Sequence, residues 1–157
     1  MYALRQWSVR HARGLNAFYR SFEALLVRLH GVFQAVGYER VERPVAAVEK
    51  AVKALLFDCR MCGQCVLSST GMSCPMNCPK TLRNGPCGGV RANGNCEVKP
   101  AMKCVWVEAF HGSERIPGGL DAMRQVQHAV DQRLQGRSSW LRVVREKTAI
   151  PGEGAHP

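Results

Sequence analysis

The chain has 157 residues, 46% of them hydrophobic, 22% charged and only 7% aromatic, which describes one domain with room for an appendage. It is too short for a (β/α)8 barrel of about 250 residues or for a two-domain dehydrogenase. Lys and Arg number 22 against 12 acids, a formal +10, and that balance taken alone points to nucleic acid or an anionic membrane surface.

The first residues hold no apolar run followed by a small-residue cleavage site, and no uncharged apolar stretch of about 18 residues exists, so neither a secretory signal nor a transmembrane span is expected. The acid-free start with Arg5, Arg10, Arg13 and Arg20 also has the composition of a mitochondrial transit peptide. The compartment expected is the reducing cytoplasm, where clustered cysteines are metal ligands more often than disulfides.

Leu15, Phe18, Tyr19, Phe22, Leu25, Leu26, Leu29 and Phe33 recur at three- and four-residue steps, the period of an amphipathic helix, with a stop at Val36-Gly37. Whether this basic helix docks on protein or on a membrane surface stays open. A polar connector, Tyr38 to Arg43, leads to a second helix with Pro44 in its first turn, running through Val45, Val48, Val52, Leu55 and Leu56 to Asp58. From Cys59 to Cys104, Gly, Pro, Asn and Cys replace any period, so turns and loops are expected, held by a ligand in place of a large core. Val105, Trp106, Val107, Ala109 and Phe110 form a short apolar run that fits strand or helix. Pro117-Gly118-Gly119 breaks the chain, and Leu120, Met123, Val126, Val130 and Leu134 give one more helical stripe, with Asp121 in its first turn and Gly136 past its end. Trp140, Leu141, Val143 and Val144 read as a packing patch, and Thr148 to Pro157 as a mobile tail. The expected fold is mostly α with an irregular, loop-rich cysteine module organised around metal sites, a small α+β arrangement being the alternative. Its regions are an N-terminal helical part (1–57), the cysteine-rich module (58–104), and a C-terminal helical part with its tail (105–157).

All eight cysteines, Cys59, Cys62, Cys65, Cys74, Cys78, Cys87, Cys96 and Cys104, fall inside that module. The first three form C-x2-C-x2-C, a spacing that lets three thiolates converge on three corners of one cubane. A single zinc more often takes a close pair from each of two segments. The bacterial ferredoxin run would place a fourth cysteine at position 69, where Ser69 stands, so that match is partial. Cys74-Pro75 and Cys78-Pro79 fix φ where the chain must turn away from metal. Eight thiolates equal two four-cysteine sites, and which of the last five cysteines completes the first site is open. Gly63, Gly71, Asn84-Gly85-Pro86, Gly88-Gly89 and Asn93-Gly94 allow tight turns that can aim amides at sulfur. Two thiolate-ligated [4Fe-4S] cores, each about −2, would lower the formal charge to roughly +6. Lys53, Arg60, Lys80, Arg83, Arg91, Lys99 and Lys103 in or beside the module would offset cluster charge, meet an acidic partner, or form a solvated basic face. A thioredoxin-type C-x2-C pair lacks its βαβ setting and would leave six cysteines unexplained, and His111 is a weaker ligand candidate.

The stretch Phe57-Asp58-Cys59-Arg60-Met61-Cys62-Gly63-Gln64-Cys65, then Thr70-Gly71 with Cys74-Pro75, then Asn84-Gly85-Pro86-Cys87-Gly88-Gly89, and last Gly94-Asn95-Cys96-Glu97 with Cys104-Val105-Trp106, resembles the methylenetetrahydrofolate reductase C-terminal domain family. The likeness spans roughly Val45 to His111. It implies a non-catalytic, metal-bearing small subunit beside a separate flavin-dependent methylenetetrahydrofolate reductase catalytic subunit, in one-carbon metabolism. The cofactors expected are two [4Fe-4S] clusters, the alternatives being one cluster plus zinc or two zinc ions. On this reading the chain passes electrons to or from the partner's flavin; the alternatives are a structural zinc or cluster module that stabilises the complex, or a zinc-dependent nucleic-acid binder. Neither nucleic acid nor a membrane is the expected partner, since no aromatics are interleaved in the module to stack single strands.

Overall fold

The computed structural model describes residues 2–85 and 87–149. Among them, four helices come first: α1 (Tyr2–Arg10), α2 (Ala12–Arg28), α3 (His30–Val36) and α4 (Tyr38–Phe57). The cysteine loops follow, and the chain closes with α5 (Val105–Glu114), α6 (Gly119–Arg124) and α7 (Ser139–Thr148). The fold is thus mostly helical. The only pairing of β type among the described residues is two isolated antiparallel bridges, Val90 with Cys96 and Asn95 with Lys103, so the α+β alternative does not hold.

Three expected boundaries are corrected. The amphipathic stripe from Leu15 to Phe33 is two helices, α2 and α3, because the Leu29 amide is shared between the Leu25 and Leu26 carbonyls at 3.1 Å each, which tightens the turn and ends α2. The connector Tyr38 to Arg43 is helical: α4 starts directly after Gly37 and carries Pro44 in its interior, where proline forfeits one backbone bond. Contacts from α7 hold that weakened first stretch. The Ser138 amide donates to Glu42 at 2.6 Å, and Arg145 lies 3.6 Å from both Glu39 and Glu42 with its guanidinium over the Tyr38 ring.

The third correction concerns the stripe from Leu120 to Leu134. Only Gly119–Arg124 is helical; after it the chain extends, and a single 3-10 turn, Gln132–Leu134, follows. Side chains of the cysteine loops pull this segment straight. Asn84 and Gln127 exchange two bonds, at 2.8 and 2.9 Å. The Asp131 amide donates to Gln64 at 2.7 Å, the Gly136 amide to the Met61 carbonyl at 2.8 Å, and the Gln135 side chain to the Arg60 carbonyl at 2.7 Å. Val126, which a helix would bury, is 83% exposed. Residues 125–136 are therefore a strap over the loops. The apolar run after Cys104 is a helix, α5, and the patch at Trp140 belongs to α7. Of the expected mobile tail, residues from Ile150 on lie outside the described residues.

Two buried clusters organise the interior. One joins Ala12, Phe57, Leu67, Met72 and Ile116, with Leu15, Leu56, Cys65 and Cys74 against it. The other joins Cys78, Cys104, Val105, Trp106 and Ala109, with Cys87, Leu82 and Met102 packed on it. The loops and α5 cross most closely at Gly71 and Gly112. A Cβ on Gly112 would stand 2.0 Å from the Gly71 carbonyl oxygen, and one on Gly71 2.3 Å from the Ser113 amide nitrogen. Gly71 also has φ of +56°, a conformation that disfavours a side chain.

Gly112 lies in the last turn of α5 without a left-handed φ, where alanine normally gains up to about 1 kcal/mol over glycine. Because the crossing leaves no room, Gly112→Ala should instead lower stability by about 1–3 kcal/mol. Gly14→Ala in α2, with nothing within 4 Å, should raise it. Urea melts of the two variants check this, and a stabilised Gly112→Ala would show that the crossing is loose.

Candidate metal centre

The loop module owes its shape to a series of unusual backbone turns. Asp58, Met61, Met72 and Thr81 have φ of +52, +49, +62 and +52°, and such left-handed conformations cost non-glycine residues about 1–2 kcal/mol each. All four stand beside or between the first five cysteines, where they curl the chain back on itself. Asp58 ends α4, its amide bonded to the Ala54 carbonyl at 3.0 Å, and so turns Cys59 inward. Asn77 donates to the Phe57 carbonyl at 2.8 Å, which ties the turn around Cys74 and Cys78 to the same helix end. Gly63, at φ +72°, brings its Cα against Leu134 of the strap.

Cys59, Cys62, Cys65 and Cys74 line one small cavity, together with Glu49, Lys53 and Arg83. Cys74 is thus the residue that joins the C-x2-C-x2-C triplet. It precedes a single 3-10 turn, Pro75–Asn77, and Cys78 follows it. That turn sends Cys78 the other way, into the cluster shared with Cys87 and Cys104. Cys104 precedes the first turn of α5. Cys96, itself buried, is fastened nearby: its amide donates to the Met102 carbonyl at 2.9 Å, and the Cys104 amide to the Gly94 carbonyl at 3.0 Å. The eight thiols therefore fall into two groups, with Cys96 attached to the second through the backbone. None is paired in a disulfide. Among the described residues, no group of three or more His, Cys, Asp or Glu side chains meets the geometry of a closed metal-binding set. His111 is exposed on α5 and faces Glu114 at 3.3 Å, away from the thiols.

Several donors point at sulfur. The amide two residues on donates to sulfur at Cys59 (Met61, 3.3 Å) and at Cys87 (Gly89, 3.4 Å), and the Met76 amide does the same for Cys74. Arg83 places Nη1 3.9 Å from Cys62 Sγ while Nη2 donates to the Gln64 carbonyl at 2.7 Å. Such donors stabilise negative sulfur. As thiols the same groups resist ionisation. Burial pushes Cys59 up to about 11, against the Met61 amide, and Cys74 up to about 12, with neighbouring cysteines adding to the rise. A cation bound among them would reverse that preference.

The features that sequence reasoning missed are Glu49 and the strap. Glu49 and Lys53 stand at i and i+4 on α4, a spacing visible in the sequence, but their burial, 1% and 2% exposed, was not. Among the described residues no helix is long and apolar enough to cross a membrane.

Helical scaffold, strap and two groups of half-buried and buried thiols describe a mostly helical domain with a cysteine-rich loop module, whose thiols are compatible with metal clusters. The methylene-tetrahydrofolate reductase C-terminal family matches residues 38–133, and the chain belongs to it. The match starts at the first residue of α4 and reaches into the strap, beyond the Val45 to His111 stretch that carries the motifs. No curated protein and no solved structure matches the chain.

The raised thiols have a consequence for pH. Their neutral form is favoured by folding, so a chain stripped of metal keeps this contribution below about pH 9 and loses it as pH rises through 11 and 12. A metal-loaded chain, its thiols already deprotonated, should show no such alkaline loss and should release protons on loading at neutral pH. Thermal melts across that range, with an indicator dye during loading, check both; an identical alkaline loss with and without metal would contradict the assignment.

Proposed function

We propose that this chain is a cytoplasmic, non-catalytic iron-sulfur subunit that passes single electrons to or from a flavin-dependent methylenetetrahydrofolate reductase on a separate chain. The observation that carries the reading is the grouping of thiols. Cys59, Cys62, Cys65 and Cys74 line one cavity, and Cys78, Cys87 and Cys104 share a second cluster with Cys96 fastened beside it. Each group would hold one [4Fe-4S] core, which when bound supplies one-electron chemistry. The chain's own residues would do the rest. They supply amide and guanidinium donors to sulfur, line the first group with Met61 and Leu67, and set the two groups on either side of the Pro75–Asn77 turn.

Family membership associates the chain with methylenetetrahydrofolate reductase, and one surface feature supports a partnered chain. Phe18, Val48 and Val52, 70, 59 and 43% exposed, line an open apolar groove between α2 and α4. Exposed apolar area of this kind marks contact surfaces.

Anaerobic purification followed by iron, sulfide and zinc analysis, with a spectrum before and after dithionite, tests the proposal. About eight iron and eight sulfide per chain and a broad visible band that bleaches are expected. Colourless protein with about two zinc ions would leave a structural role in the complex and overturn electron transfer.

A further inference from the structure

The least usual feature near the first thiol group is a charged pair buried in the helical scaffold. Lys53 and Glu49, one turn apart on α4, have side chains 3% and 2% exposed. Such a pair costs more to desolvate than it returns unless its remaining hydrogen-bonding capacity is met. Glu49 meets its own fully. One oxygen accepts from Lys53 at 2.7 Å and from the Ser139 hydroxyl, and the other accepts from the Ser138 hydroxyl at 2.6 Å and the Trp140 amide at 3.2 Å. Three of these four donors, Ser138, Ser139 and Trp140, spread the carboxylate's charge across the N-terminus of α7.

Lys53 is served differently. Its ammonium has two oxygen partners, Glu49 and Ser139, the latter at 2.8 Å. It otherwise faces the rings of Trp140 and Tyr19, 5.4 and 5.7 Å away, and the cavity of Cys59, Cys62, Cys65 and Cys74. Burial works to lower its pKa, but Cys65 and Glu49 outweigh that and hold it above the ordinary lysine value. A positive charge whose carboxylate partner is shared among three other donors is thus locked beside four sulfurs. The second thiol group has no buried counterpart among the described residues: its nearby cation, Lys80, is exposed and pairs with Glu97.

We propose that Lys53 is the positioning residue that sets the charge balance of the Cys59, Cys62, Cys65 and Cys74 site, raising the reduction potential of a cluster held there relative to the same site without the ammonium. This rests on the iron-sulfur reading above. One electron entering such a thiolate-ligated core takes it from about −2 to −3, and a fixed cation stabilises the more negative state. Glu49 serves to hold the ammonium in place, its own charge dispersed into α7.

Lys53→Met alone would leave Glu49 buried and unpaired, so the test compares Glu49→Gln with Glu49→Gln/Lys53→Met in the full chain. Potentials are read by mediator titration with an electron paramagnetic resonance signal for each cluster and iron content measured throughout, dithionite supplying the electron. At the poise where the first cluster is half reduced in Glu49→Gln, its reduced-to-oxidised ratio should fall at least about tenfold in the double variant, about 59 mV for one electron, while the second cluster stays put. Equal midpoints at full iron content, or an equal shift of both clusters, would overturn the role of Lys53 and leave the iron-sulfur reading standing. A wild-type chain with no reducible cluster would overturn both.

Discussion

Forty-six residues from Cys59 to Cys104 must hold one shape with almost no regular hydrogen-bonded structure, and the convergence of their thiols is the constraint on which the rest depends. Among the described residues, two isolated bridges and short turns are the backbone pairing this stretch has of its own. Three non-glycine residues in it, Met61, Met72 and Thr81, and Asp58 just before it are held left-handed, a cost that ordinary loops avoid. The strain is concentrated around the first five cysteines, where the chain must double back to bring sulfur to sulfur. What offsets it comes from outside the loops. Asn77 grips the end of α4 and Gly71 sits against α5. The strap from 125 to 136 supplies amide and carboxamide donors to Gln64, Asn84, Met61 and Arg60.

The helical scaffold therefore does two jobs. It covers the loops, and it delivers charge to them. α4 is the joint element. Its C-terminal end aims Cys59, and one turn earlier its buried face carries Lys53 to the same cavity. α7 then secures the first stretch and the middle of α4, through Arg145 at Glu39 and Glu42 and through Ser138, Ser139 and Trp140 at Glu49. Buried lysine beside buried thiols is costly in isolation and coherent when the sulfurs are thiolates around a cationic core.

Much of this was legible in the sequence. The confinement of every cysteine to one window announced the irregular loop module, and the triplet of Cys59, Cys62 and Cys65, expected to converge, lines one cavity. Gly37 marked the end of α3, where it adopts φ of +93°. The features that were not legible depend on partners distant in sequence. Leu120, Met123, Val126, Val130 and Leu134 keep a helical period, yet Asn84 and Gln64 compete for the backbone of that segment and win. Tyr38 to Arg43 looked too polar for a helix, and it is one because α7 binds its acids. Cys74 rather than Cys78 joins the triplet because the Pro75–Asn77 turn separates them, a division that spacing alone leaves open.

The partition of the thiols is the claim on which site, charge balance and electron transfer all rest, and paired serine substitutions address it most directly. Iron per chain is measured for Cys59→Ser/Cys74→Ser and for Cys74→Ser/Cys104→Ser after identical anaerobic preparation. Two independent four-cysteine sites predict that the first variant keeps about half the iron of the wild type and the second almost none. The reverse order, with Cys59→Ser/Cys74→Ser stripped of iron and Cys74→Ser/Cys104→Ser keeping half, would contradict the grouping.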